Sequence, residues 1–106
     1  MTMQISNVLD QIVERLVSQL NPLAIYLFGS QARSEANFDS DIDLLVILPE
    51  SNLPRFKRES MAYDALWGMT FPADIVVLTA AEFEQSKQVA TSLAATAIRE
   101  GNLLYA

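Results

Sequence analysis

Gly29-Ser30-Gln31-Ala32-Arg33, followed after the mostly polar stretch 34–39 by Ser40-Asp41-Ile42-Asp43-Leu44-Leu45-Val46, decides how this chain is read. The apolar run from Leu23 to Phe28 stops at Gly29, and a second run from Asp41 to Leu48 stops at Pro49. Runs this short, bounded by turn residues, read as buried strands. Side chains alternate along a strand, which puts Asp41 and Asp43 on one face and Ile42 and Leu44 on the other. Two ionised carboxylates on one face repel unless a cation joins them. Mg²⁺ suits such a pair, since it takes carboxylate oxygens together with substrate phosphates. A polar turn at Asp39-Ser40-Asp41, with Asp43 at a frayed strand start, accounts for the same letters, and both readings stand. A calcium loop is set aside because Leu44 follows Asp43 where such a loop requires Gly.

The glycine turn suits the other half of a phosphate site. Gly29 lets backbone approach a ligand closely, and Ser30 offers a hydroxyl and an N–H at a helix start, a favourable place for an anion. Arg33 could reach the same phosphate through charge-assisted hydrogen bonds. On its own, Gly-Ser is usually just a turn. The stretch matches neither G-x-x-x-x-G-K-[ST] nor G-x-G-x-x-G, so P-loop and dinucleotide-binding readings have no support. Asp74 opens a third apolar run, Ala73 to Leu78. By itself it reads as a solvated strand end. Beside the Asp41/Asp43 strand it would give a third carboxylate to a two-metal site of the kind that drives in-line phosphoryl displacement.

Outward from these strands the chain alternates. Ile5, Val8, Leu9, Ile12, Val13, Leu16, Val17 and Leu20 recur every three or four residues and predict a helix ended by Asn21-Pro22. A second helix is expected over Arg55–Trp67, ending near Gly68. Thr79-Ala80-Ala81-Glu82 has the form of a capping box and starts a third helical segment. Val89–Glu100 reads as the last helix, capped by Gly101, with Leu103–Tyr105 as a short edge strand. Helices alternating with strands around one sheet define an α/β or α+β domain, here expected as one domain over 1–106. Phe56, Trp67, Phe71 and Phe83 are expected in the core, with Trp67 the candidate for an interface. Arg55, Lys57 and Arg58 form the one basic cluster and read as a solvated helix face or a steering patch.

Composition narrows the chemistry. The 106 residues contain neither cysteine nor histidine, which excludes disulfides, Cys/His zinc sites and histidine acid–base catalysis. Catalysis would then rest on carboxylates and bound metal. Thirteen acidic against seven basic residues give a net charge of −6, which disfavours nucleic acid as a partner. No apolar run is long enough to span a membrane, and the start MTMQISNVLDQ lacks a signal-peptide pattern. A cytoplasmic protein is expected.

Taken together, Gly29-Ser30-x-Ala32-Arg33 and Ser40-Asp41-x-Asp43-Leu44-x-Val46 resemble the signature of the minimal nucleotidyltransferases of the DNA polymerase β-like superfamily. The likeness extends through the Asp74 strand to Arg99-Glu100-Gly101-x-Leu103-Leu104-Tyr105. It implies a nucleotidyltransferase fold, a small mixed sheet flanked by helices. It also implies that Ser30 binds the terminal phosphates, with Gly29 giving room and Arg33 assisting. Asp41 and Asp43 would hold two Mg²⁺ ions, and Asp74 would ligate the catalytic one and help deprotonate the acceptor hydroxyl. Ser34 stands where the family commonly has Gly. Small members of this family are often antitoxins of helical HEPN ribonuclease toxins. The implied reaction is therefore transfer of AMP from ATP to a toxin tyrosine. Transfer to a small hydroxylated molecule such as an aminoglycoside, and a non-catalytic antitoxin that masks its partner, are the alternatives. The 51% apolar content is compatible with a well-filled core, a homo-oligomer or such a partner.

Overall fold

The computed structural model describes residues 5–28, 42–69 and 73–106. The first helix, α1 (Ile5–Leu20), buries Val8, Ile12 and Leu16, one residue per turn, and packs Leu9, Val13, Val17 and Leu20 beside them. It stops where Asn21 turns to φ +49°, a conformation Asn tolerates, with its N–H on the Val17 carbonyl at 3.1 Å. Pro22 then blocks continuation.

Among the described residues, three strands and three more helices follow, and then a last strand: β1 (Ala24–Phe28), β2 (Ile42–Leu48), α2 (Arg55–Ala65), β3 (Ala73–Thr79), α3 (Ala80–Ser86), α4 (Leu93–Glu100) and β4 (Asn102–Tyr105). The sheet order is β3-β2-β1-β4. β1 is antiparallel to β2 and β4, whereas β2 and β3 run parallel. The expected mixed sheet flanked by helices is therefore present.

β2 is covered on both faces, which is why it reads as an almost unbroken apolar run. Ile42, Leu44, Val46 and Leu48 join Ile25, Leu27, Ile75 and Val77 beneath α1 and α2. Leu45 and Ile47 turn the other way, toward Phe83 of α3 and Ala94 and Ala97 of α4. Tyr26 and Phe83 stack across this second layer, with ring centroids 5.9 Å apart.

The margin of the sheet at β3 is closed by side chains. A strand at a sheet margin offers alternate N–H groups outward, and here three of them are taken. Ile75 N–H donates to the Tyr63 hydroxyl at 3.0 Å, Val77 N–H to Glu59 Oε2 at 3.3 Å and Thr79 N–H to Glu82 Oε1 at 2.9 Å. The spacing follows from geometry. Four helical residues advance about 6 Å and two strand residues about 6.6 Å, so Glu59 and Tyr63 keep step with Val77 and Ile75.

Several expectations are corrected. α2 ends at Ala65 rather than Trp67, and α4 begins only at Leu93 rather than Val89. Ser92 starts α4 by accepting from Ala95 N–H while its hydroxyl donates to the Ser86 carbonyl at 2.6 Å. Gly101 does cap α4, but with φ −87° and ψ 171° rather than a left-handed turn. Its reason is space, since a Cβ there would stand 2.5 Å from the Ala97 oxygen and 2.8 Å from the Leu27 oxygen. Phe83 is core, whereas Phe56 and Trp67 are 66% and 85% exposed. Their layer beneath α2 is already filled by Ala62 and Leu66. Phe71 lies outside the described residues.

Arg58 belongs to no solvated face. It is buried, donating through Nε to the Leu53 carbonyl (2.9 Å), through Nη1 to the Val77 carbonyl (3.3 Å) and through both terminal nitrogens to Glu82 (2.7 and 3.2 Å). Glu82 also completes the predicted capping box with Thr79. No buried side-chain nitrogen or oxygen among the described residues lacks a partner.

Candidate active site

The strand register sets the geometry. Phe28, the last residue of β1, is the partner of Asp43, and Asp43 is the parallel partner of Asp74. The end of β1 and the starts of β2 and β3 therefore lie in a row along one border of the sheet. Asp43 has the parity of Leu45 and Ile47, and Asp74 that of Val76 and Leu78. Both carboxylates thus share the face that α3 and α4 cover further along the strands. Asp43 is half-buried and Asp74 exposed.

Neighbouring strands lie about 4.8 Å apart, so registered side chains on one face are direct neighbours. The oxygen donors that the two carboxylates offer fit a hard divalent cation better than any softer metal. Among the described residues, no group of three or more acidic side chains converges on one point. Gly29, Ser30, Arg33 and Asp41 lie outside the described residues. In the sequence Gly29 and Ser30 directly follow Phe28, and Asp41 directly precedes Ile42.

An apolar groove of about 420 Å³ adjoins the same border, on the α1/α2 side of the sheet. Ile12, Tyr63, Leu66, Trp67, Met69 and Ala73 line it, and Ala73 immediately precedes Asp74. Sequence reading gives Tyr63 no role. The available signal is its four-residue spacing from Glu59, which turns both side chains toward one strand.

The nucleotidyltransferase domain profile matches residues 9–99, and the chain belongs to that family. Its fold matches a protein from Sulfolobus solfataricus described as a nucleotidyltransferase, with TM-score 0.62 and 25% identity over 91% of this chain and 76% of that one. The toxin–antitoxin structure MntA-HpeT, a mutant form, matches with TM-score 0.64 and 21% identity, covering 92% of this chain and 71% of the other. A toxin–antitoxin structure with AMP-PNP matches with TM-score 0.50 and 24% identity over 92% of this chain and 72% of that one. No curated protein matches. No helix among the described residues is long and apolar enough to cross a membrane.

Proposed function

We propose that this nucleotidyltransferase is an antitoxin that transfers AMP from ATP to a tyrosine hydroxyl of a helical HEPN ribonuclease toxin, acting in the cytoplasm as a single domain over residues 1–106. The observation that carries the reading is the register that sets Asp43 beside Asp74. Asp41, Asp43 and Asp74 hold two Mg²⁺ ions, and Gly29, Ser30 and Arg33 take the nucleotide phosphates. Asp74 helps remove the acceptor proton as the hydroxyl oxygen bonds to the α-phosphorus and the bond to pyrophosphate breaks. Bound Mg²⁺ would supply charge neutralisation on the phosphate oxygens and lower the pKa of the attacking hydroxyl. Fold likeness to toxin–antitoxin structures, one of them with AMP-PNP, supports both the nucleotide and the partner.

A masking antitoxin that binds without turnover is the second reading. It is favoured by the exposed aromatic rings of Phe56 and Trp67, since large aromatics are enriched at interfaces. One experiment separates the two. The protein is incubated with ATP, Mg²⁺ and the product of the adjacent open reading frame, and the partner's mass is measured. Gain of one AMP on a tyrosine, lost in Asp43→Asn and Asp74→Asn, is expected. Neutralisation that persists in both variants, with no mass gain, would leave masking as the function.

A further inference from the structure

We infer that Tyr63 is a positioning residue for Asp74, holding the peptide that directly follows this carboxylate. The inference rests on the proposed role of Asp74 in cation binding. Among the described residues β3 lies at the margin of the sheet, with β2 on one side only, and Asp74 is its second residue. A strand end in that position is the part of a sheet most prone to local opening. Here the outward N–H of Ile75 is held by the Tyr63 hydroxyl at 3.0 Å. Ile75 anchors the same peptide from within, with its side chain buried between the sheet and α2. Asp74 itself is exposed and takes no part in the core. Its direction is therefore set by the backbone on either side, and on the C-terminal side that backbone is fixed by Ile75 and Tyr63.

The position of the hydroxyl is itself constrained. Tyr63 lies one turn beyond Glu59 on α2, and Glu59 holds Val77 N–H by an equivalent bond at 3.3 Å. The two bonds are rungs of one ladder between helix and strand. The rung at Val77 supports the strand interior, and the rung at Ile75 supports the residue beside the carboxylate. This difference separates a positioning role from a purely structural one. Direct hydrogen-bond partners of a metal ligand typically change metal affinity or activity 10- to 100-fold when lost. Tyr63 acts one peptide away, so the lower end is expected for it, and a rung remote from the ligand is expected to change stability alone.

The test uses the full chain and Mn²⁺ alone as the probe, with free ion followed by electron paramagnetic resonance and thermal midpoints measured in parallel. Four proteins are compared: the unaltered chain, Tyr63→Phe, Glu59→Ala and Asp74→Asn. Tyr63→Phe keeps the ring and removes only the hydroxyl. The expected result is Mn²⁺ binding weakened about tenfold in Tyr63→Phe, unchanged in Glu59→Ala and weakened at least as much in Asp74→Asn. Both rung variants are expected to lose a similar amount of thermal stability. Weak binding in Asp74→Asn but unaltered binding in Tyr63→Phe would overturn the positioning role alone. Equal weakening in Tyr63→Phe and Glu59→Ala would overturn it too, reducing both to support of the strand. Unaltered binding in Asp74→Asn would overturn the reading of Asp74 on which the inference stands.

Discussion

Both terminal nitrogens of the Arg58 guanidinium meet both carboxylate oxygens of Glu82, at 2.7 and 3.2 Å, joining α2 to the first turn of α3. Planar two-point contact of this kind is stronger and more directional than a single ion pair. The Arg58 hydrogen bond, followed by the Thr79 N–H, holds the Glu82 carboxyl at about 2, below its ordinary 4.5 and against the opposing effect of burial.

A pH dependence follows. A carboxyl whose pKa is lowered by folding contributes stability that is complete above its unfolded value and is lost as pH falls toward its folded one. The loss attributable to Glu82 therefore falls between pH 4.5 and about 2. Because the Glu82 side chain is 44% exposed, solvent screening reduces the effect to about 1–2 kcal/mol. Denaturant titrations at pH 6 and pH 3 are expected to show a smaller pH-dependent loss in Glu82→Gln than in the unaltered chain. Equal losses would remove the pair from the acid sensitivity of the fold.

The same substitution at two glycines acts through different mechanisms. Gly101→Ala would press a methyl group against the Ala97 and Leu27 carbonyl oxygens, both of them backbone, at the junction of α4 and β4. Overpacking of this kind costs about 1–3 kcal/mol, and urea midpoints are expected to fall accordingly. Gly68 has open space around its Cβ position but a φ of +90°. Gly68→Ala is therefore expected to cost about 1 kcal/mol through backbone strain alone. A Gly101→Ala variant as stable as the unaltered chain would contradict the close approach of α4 to β1.

Trp67 is the single tryptophan and is 85% exposed. Its backbone carbonyl, not its ring, receives Arg15 Nη1 at 2.8 Å. Trp67→Ala is expected to change stability by no more than about 0.5 kcal/mol, as surface substitutions do. The intrinsic fluorescence of the unaltered chain is expected to be at the water-exposed limit and readily quenched by acrylamide. A blue-shifted, protected emission from the isolated chain would show the ring buried in a self-associated species.

Periodicity made most of the elements legible. The eight apolar positions of α1, the three apolar runs and the Thr79–Glu82 box correspond to elements of the fold because each depends on neighbours within a few residues. Arg58 was opaque for the opposite reason. Its partners Val77 and Glu82 are distant in sequence, and a basic residue between Lys57 and Glu59 carries no local mark of burial. Phe56 and Trp67 were misplaced because aromatic character signals the core only when the facing layer has room. The site was legible in part. The alternation rule identified the face of Asp43 relative to Ile42 and Leu44, whereas its pairing with Asp74 is a long-range contact that only the family resemblance anticipated.

That pairing also guards the alignment of the two strands. A slip of β3 by one residue against β2 would exchange its faces. Asp74 would then turn into the apolar layer that Ile42 and Leu44 form beneath α1, and Ile75 and Val77 would leave that layer. Burying an ionised carboxylate without a partner there would be severely unfavourable. A misaligned sheet is therefore disfavoured by the carboxylate that opens β3, so one aspartate serves as a proofreader of the fold.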